Sequence, residues 1–191
     1  MNKDRKKIID ILYQVYQKIQ PHILELPKSM EICQLIGNND YCGFTNIDYS
    51  DWKYSSDRKS LVAKSNIPRK INVRLAGDKE TIFPIENILA TFLHEIAHCI
   101  TPGIMKRGRD VNAKTYLLQS DEKCDQSKKW IPIHHSDIFY KSFARILRLA
   151  EKLDIFILPH TKNKYTKRSL ERFDAADSFN KGKSPLYSSK K

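Results

Sequence analysis

A chain of 191 residues with 40% hydrophobic and 10% aromatic content is long enough for one domain with a real core, and two full domains would be cramped. No apolar run approaches the ~20 residues that a membrane span needs, and Met1 to Lys7 leads into an amphipathic segment rather than a signal-peptide block; the expectation is a soluble, intracellular protein with no membrane partner. The net charge of +12 points to a polyanionic partner, most simply nucleic acid.

Taken in order, Ile8, Leu12, Val15, Tyr16 and Ile19 form a helical stripe. Pro21 kinks or restarts it, and Ile23 to Ile36 reads as a second, weaker helical stretch broken by Pro27. Residues 1–36 are thus expected as a helical segment packing on the body. The turn-rich stretch from Gly37 to Ser65 reads as a loop pinned to the core by Phe44, Tyr49 and Trp52. From Lys70 to Leu75 apolar and polar residues alternate, which predicts a half-buried strand ended by Gly77 and Asp78. A short extended piece, Thr81 to Phe83, then meets Pro84, the expected first residue of a helix that Thr101-Pro-Gly103 stops.

The long interval between His98 and His135 reads as a loop with one short element around Tyr116 to Leu118; it carries Lys106-Arg-Gly-Arg109 and Lys128-Lys-Trp130. Ser136 or Asp137 can cap a further helix, whose apolar stripe is Phe139, Phe143, Ile146, Ala150 and Leu153. Asp154 to Pro159 closes the folded part as a short strand or extended cover. From Pro159 to Lys191, nine Lys and Arg face three Asp and Glu, so residues 159–191 are expected as a basic, disordered tail in which Ser169 to Phe179 form a transient helix. Cysteines at 33, 42, 99 and 124 have no C-x-x-C spacing, which argues against a zinc ribbon or a dense disulfide framework.

The chemistry is concentrated in Thr91-Phe-Leu-His-Glu-Ile-Ala-His-Cys-Ile100. Residues four apart share a helix face, so His94 and His98 can hold one metal ion while the carboxylate of Glu95 reaches a water bound to it. Ile88, Leu89, Phe92, Ile96, Cys99 and Ile100 fall in one stripe and place this helix in a core. A catalytic zinc takes three protein ligands and leaves the fourth position to water. His134 and His135, at the entrance of the next helix, are the candidates for the third, and spacing does not choose between them.

The strand Ile71-Asn-Val-Arg-Leu75, Phe83-Pro84, the Thr91 to His98 motif, and a His with a Phe four residues later together resemble the WLM and SprT-like zinc metallopeptidases. The resemblance spans residues 69–158. It implies an α+β, zincin-like catalytic domain over residues 37–158: an active-site helix, a small sheet, and a second helix after the third ligand. It also implies one Zn²⁺ per chain held by His94, His98 and His135, since His135 with Phe139 fits the H-x-x-x-F arrangement of those families. Glu95 is then the general base, and Tyr116, Tyr140 and Arg74 are candidates for stabilising the oxyanion. The implied activity is hydrolysis of peptide bonds in proteins bound or crosslinked to DNA, with DNA held by the basic tail and loop. The strand at 70 to 75, or the piece at 81 to 83, would pair with the peptide by strand addition. From a different class, the competing reading is a basic nucleic-acid-binding protein with a structural or inactive metal site.

Overall fold

The first apolar stripe forms one face of helix α1 (Lys3–Ile19) in the computed structural model, which describes residues 3–35, 42–56, 59–77, 81–108, 129–158 and 164–179. Ile9, Leu12, Val15, Tyr16 and Ile19 are all buried. Pro21 permits a single 3-10 turn, Gln20–His22, after which Ile23 is already extended. The expected second helix does not form. Ile23, Leu26 and Met30 reach the core from an irregular stretch instead, Tyr16 donates its hydroxyl to the Pro27 carbonyl at 2.6 Å, and strand β1 (Glu31–Gln34) follows. Proline at 27 has no N–H for a helical ladder, so side-chain burial decides the path.

The region read as a pinned loop is instead most of a long hairpin, β2 (Gly43–Tyr54) with β3 (Ser60–Val73). Its first arm alternates half-buried and exposed positions; of the three expected anchors Phe44 is exposed, whereas Tyr49 and Trp52 are half-buried and Trp52 packs on Leu61, Met105 and Trp130. Pro68 is accommodated within β3 because it pairs with Ile47 where the register shifts. The C-terminal end of β3, residues 70–73, lies between parallel β1 and antiparallel β2. Its N-terminal end pairs with β4 (Ile104–Gly108), which pairs with β5 (Lys129–Pro132). The interval expected to be loop-like therefore begins and ends as strands, and the short element expected at Tyr116 to Leu118 lies outside the described residues.

Helix α2 (Ile85–Cys99) carries the metal motif, with Pro84 one position earlier than expected, at the N-cap. It is buried nearly all round, between β2 and β3 on one side and α3 (Asp137–Lys152) on the other. Its last carbonyls are taken up by the chain itself: Asn66 Nδ2 donates to Cys99 O at 2.7 Å and Thr101 Oγ1 to Ala97 O at 2.7 Å. The exit runs under the tilted Tyr49 and Trp52 rings at Gly103, where a Cβ would come within 2.7 Å of Tyr49. Ser136 caps α3, its Oγ accepting from Phe139 N at 3.2 Å.

After α3, Asp154 turns the chain with a positive φ of 53° and Phe156 and Leu158 cover the core without forming a strand. The expected disordered tail is corrected over its middle part. Lys167–Phe179 forms α4, with Leu170 and Phe173 buried in the same core as α1, α2 and α3. Burial of these two large apolar side chains outweighs the polar composition around them. The fold is α+β, with one hydrophobic cluster joining the four described helices to β1 and the inner end of β3. No described helix is long and apolar enough to cross a membrane.

Candidate metal centre

Four-residue spacing on α2 brings the His94 and His98 rings edge to face, with their Nε2 atoms 3.0 Å apart. The cap at Ser136 sets the first turn of α3 against them, and His135 Nε2 lies 3.2 Å from His94 Nε2. One ligand atom from each of His94, His98 and His135 lies within 4.8 Å of the other two, close enough to hold a metal ion. His134 is exposed and outside this group.

Phe139, one turn into α3, explains why the three rings converge. It stacks on His98 at 4.3 Å and on His135 at 4.7 Å between centroids, and tilts against His94 at 4.9 Å. Phe143 meets His94 edge-on at 5.4 Å from the next turn, and Phe173 of α4 packs behind Phe143 at 6.1 Å. The aromatic wall fixes ring planes that would otherwise rotate.

The donor set suits a divalent cation. Neutral imidazoles pointing the same nitrogen at each other at 3.0 and 3.2 Å can share protons only in part. Four-coordinate zinc, at ~2.05 Å from each nitrogen, spaces its ligands by roughly 3.3 Å, close to these separations. Burial, and then the neighbouring His94, His135 and His134, lower the pKa of His98 well below the ordinary histidine value. His98 is thereby kept in the neutral form that ligates.

Glu95 is only 4% exposed, on the β2 side of α2. Thr45 Oγ1 donates to its Oε2 at 2.7 Å and lies 3.2 Å from its backbone carbonyl, which also accepts from Cys99 Sγ at 3.4 Å. Gly43, two residues before Thr45 on the same face of β2, leaves room for the carboxylate. A Cβ there would sit 3.0 Å from Glu95 Oε1, 3.0 Å from its Cγ and 2.9 Å from Thr91 Cγ2.

The three oxyanion candidates fare differently. Tyr140 is buried beside the histidines, its ring 6.1 Å from that of His135. Arg74 turns back on its own strand end, donating from Nε to Ala76 O at 3.2 Å. Tyr116 lies outside the described residues. Sequence reasoning missed Gly43, Thr45 and Phe143 as site neighbours. The i, i+2 spacing of Gly43 and Thr45 was the available signal, and it is invisible once the stretch is read as a loop.

Beside the third histidine, Asp137 is held below the usual carboxylate range by its bond to Lys167, with Lys141 and Lys106 adding to the positive surroundings. Comparison of the chain with protein-family models, with curated proteins and with solved structures found no match.

Proposed function

We propose that the protein is a zinc-dependent metallopeptidase in which His94, His98 and His135 hold the ion and Glu95 is the general base. The observation that carries this reading is the convergence of three imidazole nitrogens, with a buried glutamate directly after the first of them on the same helix. Zinc, when bound, supplies a Lewis acid that polarises a peptide carbonyl and brings the pKa of a bound water down to about 7. Glu95 takes the proton of the attacking water and passes it to the leaving amine. Tyr140 is the described oxyanion candidate next to the histidines.

The expected pairing of a peptide with residues 70–75 needs revision, because β3 is bonded on both sides over 70–73. Among the described strands β2 pairs with β3 alone, and its Gly43 end passes Glu95, which favours the β2 edge for strand addition. Proteins bound or crosslinked to DNA are the proposed substrates. The support is the charge of +12 together with Lys106 and Lys141, which lie near Asp137 at the start of α3.

The test is cleavage of a DNA-bound protein by the full chain, with and without chelator and single-stranded DNA. Glu95→Gln is expected to retain about one zinc per chain and to abolish cleavage. His135→Ala is expected to lose zinc far more readily than His134→Ala. Zinc retention with no chelator-sensitive cleavage of any substrate would favour a nucleic-acid-binding protein with a structural site.

A further inference from the structure

We infer that Thr45 is a positioning residue for the general base, acting across the gap that Gly43 leaves open. This rests on the proposed peptidase reading and extends it to two residues of β2, a strand remote in sequence from the metal motif.

A buried carboxylate on a helix can swing about its side-chain bonds, and a base must present a defined oxygen to the attacking water. Helix α2 does not by itself fix that choice. Thr45 does so from outside: its hydroxyl donates to Oε2 at 2.7 Å while also lying 3.2 Å from the Glu95 carbonyl, so side chain and backbone of one residue are held from one point. The same hold fixes where Oε1 lies. That oxygen lies over Gly43, where any side chain would come within 3.0 Å of it. Thr45 and Gly43 face α2 together because they are two apart on one strand. The hydroxyl binds one oxygen of the carboxylate and the glycine leaves room for the other.

Two measurements on the full chain test this. With zinc-loaded protein and fluorescein-labelled casein as the probe, Thr45→Val is expected to lower kcat roughly 10-fold or more with KM, zinc content and melting midpoint near those of the parent. Thr45→Ser should recover most of that loss, since it restores the hydroxyl. Gly43→Ala should lower kcat as well, by crowding Oε1. A Thr45→Val rate within about twofold of the parent, in a protein that Glu95→Gln inactivates, would overturn the inference; so would a drop in rate that merely follows a drop in zinc content. The second measurement needs no turnover. In a double-variant cycle of unfolding midpoints, Thr45→Val and Glu95→Ala together should shift the midpoint by less than the sum of their separate shifts. Additive shifts overturn the pairing. If Glu95→Gln leaves casein cleavage unchanged, the peptidase assignment of Glu95 fails, and the cycle then judges the Thr45–Glu95 bond by itself.

Discussion

His98 carries two demands that conflict at low pH: it is half-buried among the rings of His94, His135 and Phe139, and it must stay neutral to ligate. Burial and the adjacent imidazoles depress its pKa, whereas in the unfolded chain it titrates near ~6.5. Between those values the unfolded chain binds a proton that the folded chain does not, so stability falls as pH drops below ~6.5. For one such group the decrease reaches at most about 1.4 kcal/mol per pH unit. Urea midpoints of chelator-treated protein at several pH values should show this decline, and His98→Asn should flatten it. The same residue shows what is legible in sequence. His94, Glu95 and His98 stand within one helical turn, so their geometry follows from local spacing alone. His135 requires a second helix start, and the choice against His134 comes from the Phe139 spacing. The stack of Phe139 on His98 and His135 gives that spacing its physical content. Thr45 is joined to Glu95 only by the pairing of two strands and the packing of α2 on them, which no local pattern encodes.

At the level of elements, legibility follows periodicity. The stripes of α1, α2 and α3 are readable because each buries one continuous row of apolar residues. Strand β2 escapes such a reading because its alternation is of half-buried against exposed positions, with Asp, Asn, Ser and Lys on the open face. Polar strands stabilised by cross-strand pairing look like loops in one dimension. In α4 the mismatch runs the other way: two anchors, Leu170 and Phe173, are outnumbered by polar neighbours yet decide the structure. Removing α4 exposes Phe143 and with it the aromatic wall behind His94. A chain ended at Pro159 should therefore melt well below the full chain, and Phe173→Ala alone should cost about 3 kcal/mol. A chain ended at Phe179 should melt as the parent does. Equal melting of the two truncations would remove α4 from the core.

For the molecule as a whole, the location of α4 changes how the basic excess has to be tested. Past Pro159 the basic residues do not form one equivalent population. Lys164 pairs with Glu151 at 2.5 Å, and Lys167 pairs with Asp137 at 2.5 Å and Glu171 at 3.5 Å. Such pairs add little stability, yet they reduce the charge offered to a phosphate backbone. Cutting at Pro159 would damage fold and charge together, and a weakened affinity could not be attributed to either. Cutting after Phe179 removes Lys181, Lys183, Lys190 and Lys191 and keeps α4. If these lysines bind DNA, the slope of log affinity against log salt concentration should become shallower by about 0.9 for each phosphate no longer neutralised on duplex DNA and about 0.7 on single strands. Titrations at several salt concentrations measure that slope directly. An unchanged slope would confine DNA binding to residues before 180, where Lys106 and Lys141 near Asp137 are the residues to change next.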